Sequence, residues 1–220
     1  MCGRFVQKVD LREAAKIFDA IVEAEQKINY NVAPRQPIAV IMEDGKRKIV
    51  EMSWGLVPRW AKDASIANKL INARSETVAE KPSFRDSFKS RRCLIIADGF
   101  YEWQTKDGIK KPFYIFMKGK KPFGIAGLYD LWKDENGKEI TICTIITTEA
   151  NEFMKSLHHR MPVIISPENY NHWLDPAEKD TSKIGSLMKP WDSNEMDAYE
   201  VGTLVNSAGY NSAECINPLK

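Results

Sequence analysis

The chain has no long apolar run, few histidines and no paired cysteines, and each shortage removes a class of function. Its apolar stretches, such as residues 93–97 and 161–165, fall far short of the ~18–20 residues that span a bilayer. No membrane partner is expected. A secretory h-region is also missing, because Arg4, Lys8, Asp10, Arg12 and Glu13 intrude at once, so the protein is read as cytoplasmic, and nucleoid-associated if bacterial. The four cysteines, Cys2, Cys93, Cys143 and Cys215, stand far apart without a C-x-x-C pair, which argues against zinc and thioredoxin-like chemistry. Cys93 and Cys143 lie in apolar runs and read as buried thiols. With only His158, His159 and His172 and no carboxylate at ligand spacing, no metal is expected. Neither G-x-G-x-x-G nor G-x-x-x-x-G-K-[ST] occurs, nor G-x-S-x-G or H-E-x-x-H, so no cofactor is expected. A formal charge of +2 is too small to make the whole surface attract nucleic acid, which leaves only local basic patches.

What is present is an ordinary globular composition. Hydrophobic residues make up 43% and charged residues 28% of 220, close to the ~45–50% and ~25% of soluble domains, and a single domain over residues 2–220 is expected. Asp10 reads as an N-cap with Glu13 at N3, and Leu11, Ala14, Ile17, Phe18 and Ile21 recur at helical spacing. Strand signals at 38–41 and 48–54 flank the Glu43-Asp44-Gly45 turn. Further β-rich runs at 92–103, 112–117, 123–132, 139–147 and 161–165, joined by turns such as Lys106-Asp107-Gly108 and Glu135-Asn136-Gly137, predict a meander. Short helices are predicted at 149–154, capped by Thr147 or Thr148, and at 167–174, with an irregular excursion at 175–197 before a last strand near 199–205. Hairpins without regular βαβ alternation imply an α+β fold, a mainly antiparallel curved sheet or small barrel with flanking helices.

The opening Met1-Cys2-Gly3-Arg4-Phe5 carries the sharpest chemical signal. Removal of Met1 makes Cys2 a free 1,2-aminothiol, whose thiol and α-amine titrate near ~8.5 and ~7.7–8.0 in ordinary surroundings. Such a pair condenses readily with aldehydes. Equally, Cys2 can simply follow Met1 on a frayed terminus. Asn72 and Arg74 sit two apart in Ile71-Asn72-Ala73-Arg74-Ser75-Glu76-Thr77, on one side of an extended chain. Glu102 lies among the aromatics of Phe100-Tyr101-Glu102-Trp103, which reads either as an exposed strand residue or as a carboxyl of raised pKa suited to proton transfer. His158 and His159 fall at a predicted helix-to-strand junction. Arg4, Arg74 and Arg160, with Trp60, have the chemistry for phosphate contact and base stacking, and equally that of solvated charge and a core indole.

Six motifs in order, Met1-Cys2-Gly3-Arg4-Phe5, Tyr30-Asn31-Val32-Ala33-Pro34, Trp54-Gly55-Leu56-Val57-Pro58, residues 71–77, residues 97–103 and His158-His159-Arg160-Met161-Pro162, resemble the SOS-response-associated peptidase (SRAP) family of abasic-site processing proteins. The resemblance implies a protein that binds single-stranded DNA at an abasic site and joins the ring-opened sugar to Cys2 as a thiazolidine. It assigns catalytic parts to Cys2, Asn72, Glu102 and His158. DNA contacts are expected from Arg4, Asn31, Pro34, Trp60, Arg74 and Arg160. Ala61 departs from the pattern, because some relatives carry a second aromatic there. A monomer is expected, and AP-lyase and Met1-removing peptidase activities are compatible. The competing readings are an N-terminal-nucleophile amidohydrolase, which also exposes Cys before Gly, the proteolytic activity in the family's name, and a DNA-binding shield with no covalent step.

Overall fold

In a computed structural model, described for residues 2–61, 63–134 and 136–219, strands dominate the regular structure. In chain order they are β1 (Phe5–Gln7), β2 (Ile21–Val22), β3 (Asn29–Val32), β4 (Pro37–Glu43), β5 (Arg47–Trp54), β6 (Asn72–Arg74), β7 (Arg92–Ala97), β8 (Gly99–Lys106), β9 (Ile109–Met117), β10 (Phe123–Lys133), β11 (Glu139–Glu149), β12 (Arg160–Pro162), β13 (Ile164–Ile165) and β14 (Met196–Glu200). The α-helices are short: α1 (Leu11–Phe18), α2 (Arg85–Ser90), α3 (Tyr170–Leu174) and α4 (Thr181–Gly185). One sheet, ordered β14-β9-β8-β1-β3, is antiparallel throughout. The other runs β11-β10-β7-β4-β5 and closes, because β5 returns to β11 in parallel, Ser53 against Ile142 and Trp54 against Cys143. Closure removes exposed edges. The fold is therefore α+β with a small five-stranded barrel, as the hairpin-rich sequence implies.

Side-chain alternation assigns the faces. On β7, Cys93, Ile95 and Ala97 join one apolar cluster and Leu94 and Ile96 another, as a pleated strand requires. The first set, with Val40, Trp54, Ile125, Cys143 and Ile145, fills the barrel. The second meets Phe18 of α1, Phe88 of α2 and Trp173 of α3 outside it. α1 starts as predicted, with Asp10 Oδ1 accepting from the Arg12 N–H at 2.7 Å and the Glu13 N–H at 3.4 Å. It stops sooner than the apolar spacing suggests. Asp19 turns left-handed at φ 50° and Ile21 begins β2, exposed to solvent.

Several boundaries differ from the sequence reading. The run 92–103 is two strands, because at Asp98 the chain leaves the barrel for the other sheet. Gly99 permits that crossing, since a Cβ there would lie 2.5 Å from the Tyr114 ring and 2.6 Å from the Ile115 carbonyl oxygen. There is no single meander: β8–β9 and β10–β11 are hairpins in different sheets, and β2–β5, β5–β11 and β6–β11 pair in parallel. The Asp107-Gly108 turn of the first hairpin has both residues at positive φ, 52° and 76°, the two-residue turn whose twist suits paired strands. In the other predicted turn, Glu135 lies outside the described residues. The helix predicted over 149–154 is displaced. Thr147, Thr148 and Glu149 extend β11 to pair with β12, and a 3-10 turn at Met154–Ser156 follows. The last strand is Met196–Glu200, paired with β9, and Thr203–Asn206 forms a 3-10 turn.

The two sheets are stitched together through β1. The β4–β7 ladder pairs Val40 with Ile95 and Ile41 with Leu94, and the next rung is supplied by the Gln7 side chain. Its Nε2 donates to the Ala39 and Ile96 carbonyls at 2.9 and 2.8 Å, and its Oε1 accepts from the Ala39 N–H at 2.8 Å. Replacing Gln7 by leucine strips these buried groups of their partner, and leaving such groups unpaired costs on the order of 3 kcal/mol. Equilibrium urea unfolding is expected to show that loss, and an unchanged midpoint would refute the stitching role.

Candidate active site

Strand periodicity aims Glu102 at Cys2. Along β8, Phe100 joins the cluster that fills the barrel and includes Cys2, whereas Tyr101 packs on the opposite face with Val6, Tyr114 and Val205. Glu102, two residues beyond Phe100, returns to the Cys2 side. Asn72 opens β6, which lies parallel to β11, and its Nδ2 donates to the Cys2 carbonyl oxygen at 2.9 Å. His158 follows the 3-10 turn, its N–H bonded to the Met154 carbonyl at 2.8 Å. Its Nδ1 accepts the Arg160 N–H at 3.0 Å and stands 4.0 Å from Glu102 Oε1. Four residues from four separated segments thus meet at the barrel mouth.

Burial sets the site's protonation. The Cys2 thiol is fully buried and donates to the Arg4 carbonyl at 3.8 Å. Desolvation, followed by the Glu102 carboxyl, pushes it well above the ordinary thiol range. This corrects both expectations, a thiol titrating near its usual value and, alternatively, a frayed end: burial removes the water that would stabilise the thiolate. Glu102 is 3% exposed, and burial pushes its carboxyl up to about 7, the direction its aromatic setting implies. Burial lowers His158, favouring the neutral ring, and His159 stacks on it with ring centres 4.3 Å apart. Asn72 Oδ1 is buried with no hydrogen-bond partner among the described residues.

The expected DNA contacts fall into two groups. Trp60 is 63% exposed and so is not a core indole. Arg74 is exposed, and Pro34 is half-buried. The remaining three are engaged internally. Arg4 Nη1 donates to Asn31 Oδ1 at 2.8 Å and to the Val205 carbonyl at 2.5 Å, and Nη2 reaches the Asn206 carbonyl at 3.3 Å. The Asn31 amide donates to the Ser207 and Tyr210 carbonyls at 2.9 and 2.8 Å. Arg160 is gripped by Glu76 and Thr147. Sequence reasoning gave Glu76 no role, and no local signal could have, because its partner lies 84 residues away. A groove of about 660 Å³ lined by Arg59, Ala61, Trp132 and Lys133 shares no residue with the Cys2 site. At Ala61, where an aromatic is missing, the carbonyl accepts the Trp132 indole N–H at 3.1 Å. Among the described residues no cluster is arranged to hold a metal, and no helix is long and apolar enough to cross a membrane.

Fold and site together define an α+β barrel protein whose candidate active site is built around its second residue. The chain belongs to the SOS response associated peptidase (SRAP) family, which matches residues 1–208. It is 46% identical to the abasic site processing protein YoqW of Bacillus subtilis, over 98% of this chain and 99% of that one. It is 31% identical to the abasic site processing protein HMCES of Gallus gallus, over 90% of this chain and 68% of the relative. A crystal structure of a protein from Bacteroides thetaiotaomicron superimposes with a TM-score of 0.91 at 28% identity, covering 100% of both chains.

Two outcomes follow from the site's burial. All four cysteines are buried, so a disulfide thiol reagent at pH 8 is expected to label the native protein slowly and to count four thiols after denaturation. Rapid labelling of Cys2 in the native state would contradict the burial. For Glu102, a folded-state pKa above the unfolded one means that the folded protein binds the extra proton. Stability from this group is full below the unfolded value near ~4.3 and declines as pH rises toward about 7. Glu102→Gln should therefore match wild type in urea unfolding at pH 4 and exceed it at pH 8. Equal stability at both pH values would refute the raised carboxyl.

Proposed function

We propose that the protein processes abasic sites in single-stranded DNA by capturing the ring-opened sugar covalently on Cys2. The observation that carries this reading is the grouping of Asn72 on the Cys2 carbonyl, Glu102 beside the Cys2 thiol and His158 4.0 Å from Glu102, in a chain related to abasic site processing proteins. Removal of Met1, which lies outside the described residues, frees the α-amine. The amine attacks the C1′ aldehyde to give a carbinolamine, which loses water to form an imine. The Cys2 sulfur then adds to the imine carbon, and its proton passes to the nitrogen, closing a five-membered thiazolidine. One water is released overall. Because burial suppresses the thiolate, the amine acts first and the thiol second. Glu102, with a carboxyl near neutrality, takes the thiol proton and returns it to nitrogen. His158 moves the proton that opens the sugar ring. Asn72 holds the Cys2 carbonyl and so fixes the direction of the nucleophile.

DNA is held at the rim. Trp60 offers an exposed face for a flanking base and Arg74 an exposed guanidinium for a phosphate, with Pro34 bounding the strand. Arg4 and Asn31 act from within, by clamping the residue before β1 and strand β3 against the C-terminal segment.

The test combines intact mass with crosslinking. Mature protein is expected to lack Met1 and, with an oligonucleotide containing one abasic site, to give a denaturation-resistant adduct whose mass is the sum of the parts less one water. Cys2→Ala should abolish the thiazolidine, and Glu102→Gln should slow adduct formation by roughly 100-fold. Absence of any adduct from wild type under reducing, neutral conditions would overturn the reading. Cys2-dependent glutamine hydrolysis in its place would favour an amidohydrolase.

A further inference from the structure

Arg160 is a basic side chain that the folded protein has already neutralised. Its guanidinium is 10% exposed, and Nη1 donates to Glu76 Oε1 at 2.5 Å and Nη2 to Glu76 Oε2 at 3.1 Å, a two-point grip. Nη2 also donates to the Thr147 carbonyl at 2.6 Å, which ties the guanidinium to β11. The main chain of the same residue fixes the His158 ring. The cation is thus rigid and stands beside the reacting groups. Its partner is not confined in the same way. Glu76 is 50% exposed at the side chain and sits in the turn after β6. Its carboxyl is held below the usual range by the Arg160 hydrogen bonds, with Arg74 adding to the effect. One ionised carboxylate therefore offsets two arginines at the rim of the site.

We infer that Glu76 is a selectivity residue: by occupying Arg160 in the two-point manner a strand phosphate would use, it keeps affinity for undamaged single-stranded DNA low. A carboxylate and a phosphate compete for the same planar donor edge. A strand that exchanges with Glu76 gains one contact and breaks one of similar kind, so the arginine adds little net affinity. Retention on DNA then depends on whether an aldehyde is present for Cys2 to capture. Glu76 acts through charge and touches no reacting atom.

The inference rests on the proposed single-strand reading, and the experiment separates the two. In a Cys2→Ala background, which cannot close the thiazolidine, binding to an intact single-stranded oligonucleotide, which offers no aldehyde, is measured against salt for Glu76 and Glu76→Gln proteins. The glutamine is expected to bind roughly three- to tenfold tighter and, having gained a phosphate contact, to show a salt slope steeper by about 0.7. With wild-type Cys2, adduct formation by Glu76→Gln on an abasic oligonucleotide should be more strongly inhibited by excess undamaged strand. Unchanged or weaker binding by a folded Glu76→Gln protein overturns the inference while leaving the capture reading intact. No binding and no adduct from the parent proteins overturns both. Should Glu76→Gln fail to fold, Glu76→Ala and Glu76→Ser serve in its place. Failure of all three to fold would mark Glu76 as a structural brace and also overturn the inference.

Discussion

β1 belongs to one sheet through its backbone and to the other through a side chain, and the position of Cys2 follows from that double attachment. Its main chain pairs with β3 and β8, while the Gln7 amide enters the barrel between β4 and β7. Just beyond, Asp98 Oδ2 accepts from the Lys8 and Val9 N–H groups at 2.6 and 3.0 Å, at the point where the chain crosses between sheets. Inside the barrel, Phe5 meets Trp54 edge-on with ring centres 5.2 Å apart. A slip of one residue in β1 would exchange Phe5 and Val6 between faces. It would also withdraw Cys2 from the barrel mouth, so register here decides whether there is a site at all.

With position fixed, desolvation does the electrical tuning. Removing water favours the neutral form of every group it reaches, which raises thiol and carboxyl and lowers imidazole. Cys2, Glu102 and His158 all shift in those directions, and burial is the leading cause of each. Desolvation therefore leaves the pocket without a standing thiolate. That arrangement suits a nucleophile consumed in two stages better than one that attacks directly as an anion. It also gives the buried carboxyl a proton affinity near the operating pH, where a single group can both accept and return a proton.

How much of this was legible in the sequence depends on the range of the interaction involved. Local rules found the Asp10 cap, the Asp107-Gly108 hairpin and the aromatic setting that raises Glu102, because each lies within a few residues of its cause. The split at Asp98 was not legible, since strand-forming residues run on both sides of Asp98-Gly99 and the crowding of Gly99 against Tyr114 and Ile115 involves residues 15 or more positions away. The strands at 147–149 resisted a helical reading because β-branched Thr147 and Thr148 gain partners in β12, residues that lie more than ten positions away. Cys2 itself was the hardest to judge. The thiol follows the start of a chain, where fraying is the ordinary expectation, whereas in the fold it shares an apolar cluster with Trp54 and Cys143 and its carbonyl is held by Asn72, none of them near it in sequence.

The same distinction between free and engaged groups governs charge. The chain carries 32 basic and 30 acidic residues, and two of the three arginines expected at the DNA face are committed to internal partners. Arg4 joins the N-terminal strand to the Val205 and Asn206 carbonyls, and Arg160 joins β12 to Glu76 and β11. An arginine that spends its donors on the fold makes a precise frame and a weak electrostatic magnet. Under the capture reading that combination is coherent. The geometry around Cys2 must be exact to within a fraction of an ångström, whereas a strand need only be held until the aldehyde has reacted, after which a covalent bond replaces every phosphate contact the surface lacks.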